Sequence, residues 1–317
     1  MQKEDFYVPD NVNIENINAL SKEQSIIFEK RICELSELAD EAVRLALELS
    51  SDFGIYELLG FISEGVSFSD FCEHGFALPK NASKIKGYLN SLSVYDRAVF
   101  SDLFLKKLRE VGISVSEKAF LPDGNGDLSV VYVKNRLSDE AYDVFADMLV
   151  DSTVSYAESF RDAALAVAEG KKEYCILPLE ENDGARLATI AALLYKHDLK
   201  ISSVTPVFGI DGSADVKYAL VSKHFSIPTV NPDDDRYLEI RLRADGSLTL
   251  SELFSASDML GATVYRINTV KFKSDEGDIP YYTIVFRDEE NDFSNLLVFL
   301  TLFAGGYTAV GIYKNLE

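Results

Sequence analysis

The sequence predicts an α/β and α+β multidomain chain, and three observations carry that prediction. Apolar residues recur at helical spacing through the first 120 residues. Between 128 and 223, short apolar runs alternate with helical stretches, the βαβα pattern of a mostly parallel sheet. From 236 onward the elements read β-α-β-β-α-β. The boundaries that follow are 1–122 for an all-α N-terminal domain, 127–226 for a central α/β lobe and 235–317 for a C-terminal α+β domain.

In the N-terminal part, Ser21 to Leu49 carries Ile26, Ile27, Ile32, Leu35, Leu38, Ala42, Leu45 and Leu49 at the spacing of an amphipathic helix. Further helices are predicted over 52–63, 68–73, 83–92 and 94–111, with Gly54, Gly65, Gly75 and Pro79 as breakers.

In the lobe, Leu128 to Val133 is an apolar run suited to a buried strand, and Ser138 is placed as N-cap of a helix reaching Leu149. A short strand near Thr153 to Ala157 precedes a helix from Ser159 to Glu169, closed by Gly170. A strand from Tyr174 to Leu179 leads to a helix over 188–195, with Asn182 or Asp183 as its cap. Strands over 200–207 and 215–221 complete the lobe.

An acidic connector, Asp233-Asp234-Asp235, then leads to a strand from Arg236 to Arg243 and a helix ending at Leu260 before Gly261. Strands over 262–273 and 281–287, a helix over 293–303 and a last strand over 307–313 follow.

The segment Pro178-Leu179-Glu180-Glu181-Asn182, set at a strand end before a helix, resembles the Pro-Ile-Glu-Asn-Ser segment of prephenate dehydratases. Phe160, Ala166, Val167 and Gly170 sit at matching places upstream, so the resemblance covers roughly 128–223. It implies a half-domain of the periplasmic-binding-protein-like kind. If the chain is active, it implies a site built from Glu180, Asn182 and Ser138.

The departures from the family are specific. Lys134-Asn135-Arg136-Leu137-Ser138 replaces its glycine-rich turn, and Lys217-Tyr218 stands where it has Thr-Arg. The connection 208–214 replaces an inserted second lobe. Decarboxylative dehydration needs its substrate clamped between two lobes, with a donor for the departing hydroxyl, so these losses speak against the reaction.

The β-α-β-β-α-β module resembles an ACT domain, the regulatory unit attached to many prephenate dehydratases. That resemblance implies a dimer gripping a small ligand with Gly246, Ser247 and Leu248 after the first strand and Asn268 and Thr269 on the second. The closing stretch Gly305 to Tyr313 is similar to the last strand of that family.

Composition narrows the function classes. A net charge of −21 argues against nucleic acid and anionic membranes, both of which select for basic surfaces. The apolar runs are too short to span a bilayer and Met1 to Asp5 begins no signal peptide, so a cytoplasmic protein is expected. Cys33, Cys72 and Cys175 have no paired spacing, and Cys175 in an apolar strand reads as a buried thiol. His74, His197 and His224 are scattered, so no metal is expected, and no cofactor motif is present. Asp123-Gly124-Asn125-Gly126-Asp127 mimics the start of a calcium loop but lacks its later Gly and Glu, and reads as an interdomain turn.

The function expected is that of a diverged, non-catalytic relative, a regulatory or sensor protein binding a small metabolite such as an aromatic amino acid through an ACT-like homodimer. Two alternatives stand beside it. One is an active prephenate dehydratase, alone or fused to chorismate mutase, in phenylalanine biosynthesis. The other is a structural or interaction protein with no ligand.

Overall fold

The computed structural model describes residues 22–49, 88–113, 115–121, 128–181, 184–208, 216–229, 235–244, 246, 248–274, 277–288 and 292–316. The helices expected over 52–63 and 68–73, the first half of that over 83–92, the calcium-like turn and the acidic connector up to Asp234 lie outside these residues. Contacts divide the chain into two compact units. The first is drawn from Met1–Phe120, Gly246–Thr263 and Asp292–Gly305, the second from Leu121–Asp245, Val264–Asn291 and Gly306–Glu317.

The first unit is helical among the described residues. Helix α1 (Lys22–Leu49) buries Ile32, Leu35, Leu38, Ala39, Ala42 and Val43, one stripe at helical spacing. Ile26 and Ile27, expected on that stripe, are instead 59% and 64% exposed. That helix, α2 (Val94–Glu110), opens on Ser93, whose hydroxyl accepts from the Asp96 N–H. It packs along α1, with Arg31 paired to Asp96 at 2.9 Å.

Three more helices complete the unit: α3 (Glu117–Phe120), α7 (Leu250–Met259) and α8 (Ser294–Phe303), the last two resting on α2. Thr249 and Glu252 form a reciprocal capping box at the start of α7. At the start of the apolar α8 the Ser294 N–H donates to Asp292 Oδ1 at 2.9 Å and the Phe293 N–H before it to Glu117 Oε1 at 3.0 Å. That carboxylate also lies at the positive end of the helix.

In the second unit, β1 (Ser129–Val133), α4 (Arg136–Phe145), β2 (Thr153–Ala157), α5 (Phe160–Ala168), β3 (Tyr174–Glu180), α6 (Ala188–Lys196), β4 (Lys200–Val207) and β5 (Val216–Ser222) follow in order. They build a five-stranded sheet, β2-β1-β3-β5-β4. β1 is parallel to β2 and β3, while β5 runs against both β3 and β4. The connection from β4 to β5 is too short for a crossover, which a parallel return would need.

Alternation along β3 sends Cys175, Leu177 and Leu179 to one core with α5 and α6, and Ile176 to another with Ala141 and Phe145 of α4.

Two helix starts differ from expectation. Asn135, not Ser138, caps α4: its Oδ1 accepts the Ser138 N–H at 3.0 Å while its Nδ2 donates to the Ser138 hydroxyl. Asn135 has the extended backbone a cap requires, which places Ser138 inside the first turn. α6 begins after Leu187, which is its N-cap and makes no side-chain cap bond; Asn182 and Asp183, expected there, lie outside the described set.

The same unit holds a second sheet, β7-β8-β6-β9, formed by β6 (Arg236–Arg243), β7 (Ala262–Ser274), β8 (Gly277–Asp288) and β9 (Thr308–Lys314). With α7 and α8 between strands in sequence, the order is β-α-β-β-α-β, and β6 is antiparallel to both β8 and β9.

The two sheets of this unit are tied where β4 meets β9. Leu316 N–H donates to the Val204 carbonyl at 2.7 Å, and Lys200 Nζ to the Ala309 carbonyl at 3.3 Å. Tyr237, Val285, Val310 and Tyr313 of the second sheet share one core with Leu179, Ile190, Leu194, Ile201 and Val204.

Candidate functional site: a buried ionic seam

Strand β6 alternates apolar Leu238, Ile240 and Leu242 with Tyr237, Glu239 and Arg241, the pattern of a strand with one wet face. Yet every residue from Arg236 to Leu242 is buried. The polar face is covered by β3, α6 and β4 of the other sheet, so its charges must be paired within the protein.

The partners come from the strand end that resembles a catalytic segment. Between Pro178 and Glu180 the pairing of β3 with β5 slips by one residue, a bulge at the point where proline has no N–H for the ladder. The chain then doubles back so that Arg186 bridges to Glu180 just ahead of α6. Gly184 makes this turn with φ +78, a conformation that favours glycine.

The outcome is a network. Arg186 Nη2 donates to Glu239 Oε2 at 2.5 Å, and the Tyr313 hydroxyl donates to the same oxygen at 2.9 Å. Glu180 Oε1 stands 3.8 Å from Arg186 Nη1, and its Oε2 meets Arg266 Nη1 and, at 3.9 Å, Lys217 Nζ. A second group lies along the seam, where Asp198 Oδ1 meets Lys200 Nζ at 2.7 Å and Arg241 Nη2 at 3.7 Å.

Burial and partners set the protonation of these groups. Burial opposes the Arg186 charge, but Glu239, Tyr313 and Glu180 more than offset it and raise its pKa. Burial, then Glu239, pushes the Tyr313 hydroxyl well above its ordinary value. Arg241 and Lys200 are both lowered, chiefly by burial, against the pull of Asp198.

Two clefts flank the network. One, with about 20 Å³ of cavity volume, is bordered by Glu180, Lys217, Tyr265, Arg266 and Asn315. The other, with about 10 Å³, is bordered by Arg186, Glu239, Arg241, Phe272 and Thr283.

No family model matches the chain, and no curated protein matches it. Solved structures do. A prephenate dehydratase from Streptococcus mutans is 14% identical, with a TM-score of 0.47, over 60% of this chain and 99% of that one. A prephenate dehydratase from Arthrobacter aurescens, solved with L-Phe, is 12% identical with a TM-score of 0.44, over 58% of this chain and 89% of that one. A protein described as a novel type of quorum-quenching acylase is 16% identical with a TM-score of 0.44, over 60% of this chain and 96% of that one. These likenesses are remote, and the site stands on its own residues.

Of the residues singled out from sequence, Glu180 lies at the centre of the network. Ser138 is fully buried on α4, which packs on the other face of the five-stranded sheet from α5 and α6, and its hydroxyl is engaged by Asn135. Asn182 and Ser247 lie outside the described residues. Gly246 and the buried Leu248 belong to the first unit. Asn268, half-buried, and the exposed Thr269 lie on β7 in the second.

Arg186, Glu239, Arg241 and Arg266 were not anticipated. For Glu239 and Arg241 the signal in the sequence is charge on alternate positions of an otherwise apolar strand, which reads equally well as a solvated face; Arg186 and Arg266 lie off that strand. Among the described residues there is no group of three or more His, Cys, Asp or Glu side chains arranged to hold a metal, and no helix long and apolar enough to cross a membrane.

Proposed function

We propose that this chain is a diverged, non-catalytic relative of the prephenate dehydratases, a regulatory or sensor protein that binds a small metabolite. The observation that carries this reading is the state of Glu180. Its side chain is 5% exposed and its two oxygens face Arg186, Arg266 and Lys217. A general acid or base must present a free oxygen to its substrate. A carboxylate so deeply buried and held among three cations at a bulged strand end is placed to tie two sheets together rather than to exchange a proton with a substrate.

The ligand class follows from the resemblance of the C-terminal module to ACT domains, which implies an amino acid, an aromatic one in the first instance, held between two copies of the chain. The residues assigned by that resemblance are Gly246, Ser247 and Leu248 after β6, and Asn268 and Thr269 on β7.

Two measurements on the purified chain test this. Prephenate should give no phenylpyruvate above the spontaneous rate, and turnover would overturn the non-catalytic reading. Phenylalanine or tyrosine should raise the melting temperature, since a ligand that binds only the native state must stabilise it. No shift with any amino acid at millimolar concentration would overturn the sensor reading.

A further inference from the structure

The two sheets of the second unit end in β2, β4, β7 and β9, and three of these edges are guarded. β4 and β9 cover one another, with the Leu316 N–H on the Val204 carbonyl. β7 carries Arg266 and Lys271, charges that discourage a further strand from pairing there. β2 has no such device. Its residues Thr-Val-Ser-Tyr-Ala include no charge and no proline, and its register on β1 runs from Ser129 with Thr153 to Val133 with Ala157 without a bulge. Soluble proteins seldom leave such an edge bare, because it templates the addition of another strand.

The edge has a defined geometry. The Thr153 N–H donates to the Leu128 carbonyl at 2.9 Å, so Thr153, Ser155 and Ala157 turn their backbone groups toward β1, while Val154 and Tyr156 turn theirs outward. Among the described residues no strand lies beyond β2 to take them up. The side chains of Val154 and Tyr156, 39% and 55% exposed, stand beside Val130 and Tyr132 on the face that α4 covers. Leu128, Met148 and Val150, where the chain enters β1 and β2, are exposed as well, so apolar surface accompanies the bare edge.

A second copy of the same strand fits it. With the two strands antiparallel about Ser155, Val154 of one chain falls opposite Tyr156 of the other, and both direct N–H and carbonyl outward. Each such pair exchanges two hydrogen bonds, and the two-fold axis produces the pair twice. A β-branched residue then packs against an aromatic ring, a favourable cross-strand combination. Centring the axis on Val154 or on Tyr156 would instead set Tyr156 against Ser152 or Val154 against Glu158. Charge agrees with the Ser155 register. Glu158 comes opposite Ser152 and Asp151 opposite Ser159, so no carboxylate meets a carboxylate. Lys134, 4.8 Å over the Tyr156 ring, brings a cation to the same end of the strand.

We propose that β2 is a self-association edge, through which two copies of the chain join their five-stranded sheets antiparallel about Ser155. The contact is small, so the pair is weak and forms in a concentration-dependent way. It is independent of the homodimer implied by the ACT resemblance, and the two contacts together would give an assembly of four.

Sedimentation equilibrium from micromolar to near-millimolar protein and a cysteine probe test it. Val154→Lys puts two lysines on the shared face, at a position exposed in the single chain, and should weaken the association by about tenfold or more. An ACT-type dimer would persist in that variant, so the failure of either contact is distinguishable from failure of the other. In a chain carrying Cys33→Ser and Cys72→Ser, Ser155→Cys should form a disulfide-linked dimer under oxidised glutathione. The central residues face each other as a non-hydrogen-bonded pair, with Cα atoms about 4.5 Å apart, within the span of a disulfide. Thr153→Cys is more exposed but lies opposite Ala157, and should cross-link about tenfold more slowly or less. Equal association of the unaltered chain and Val154→Lys would overturn the proposal, as would equal cross-linking of the two cysteine variants.

Discussion

Arg186 Nη2 and Glu239 Oε2 lie 2.5 Å apart, 53 residues distant in sequence, and both side chains are at most 3% exposed. Desolvating two charges is expensive, and the pair persists because each removes the other's cost. Glu239→Gln should therefore cost about 3–5 kcal/mol, since it strands a buried guanidinium. Arg186→Met combined with Glu239→Met should cost much less than the two single changes together, because no charge is left behind. Urea unfolding of the four proteins at pH 7 measures this. Strictly additive costs would mean the two side chains do not depend on each other.

Gly311 of β9 has its own reason to be glycine. A Cβ there would run into the carbonyl of Ile201 on β4, backbone against backbone, where neither can turn aside. Gly311→Ala should lower stability by about 1–3 kcal/mol, in the range of other overpacked sites. Gly305, where an added Cβ meets nothing within 4 Å, provides the contrast: Gly305→Ala should stay within about 0.5 kcal/mol of the unaltered protein. Thermal melts of both variants decide it, and equal effects would show that β4 and β9 can separate at no cost.

The contrast between what the sequence reveals and what it hides follows the range of the forces involved. Thr153–Ala157, Lys200–Val207 and Arg236–Arg243 could be bounded from sequence because apolar runs and their flanking breakers are local. Gly170 as stop of α5 is likewise local, and the structure has it at φ +71, while Ser159, expected as the first residue of that helix, is its N-cap. The antiparallel β5 was less evident, since the composition of a strand does not record its direction. Least legible was the polar face of β6. Tyr237, Glu239 and Arg241 look solvent-facing by alternation, and only the approach of Arg186 and Asp198, from far along the chain, turns them inward. Glu180 could be noticed in the sequence, but its three cationic partners could not, so its position suggested chemistry where the contacts indicate structure.

Cys175 should be inert in the folded protein. It is fully buried on β3 among apolar neighbours, and burial pushes its thiol pKa far up, so almost no thiolate forms at neutral pH. Iodoacetamide at pH 8, followed by peptide mass spectrometry, should label the exposed Cys33 within minutes and Cys175 only after denaturant is added. Labelling of both at similar rates without denaturant would show that the core on this face of the five-stranded sheet opens readily.

The ion pair between α1 and α2 makes part of the first unit's stability depend on pH. Burial opposes the charge on Asp96, but hydrogen bonds from Arg31 and Ser93 outweigh it and bring its pKa below the ordinary value. A carboxylate lowered in the fold contributes its full stability above its unfolded pKa, about 3.9, and loses it as pH falls through the folded value. Arg31 remains one-third exposed, so solvent screening keeps the contribution near 1 kcal/mol. Asp96→Asn should lower the denaturation midpoint at pH 7, and the gap from the unaltered chain should close on acidification below about pH 4. Lys107, paired with Asp40 at 2.7 Å, also joins α1 and α2. If the Asp96→Asn gap stayed constant down to pH 2, the loss would come from the Ser93 cap and helix packing rather than from the charge on Asp96.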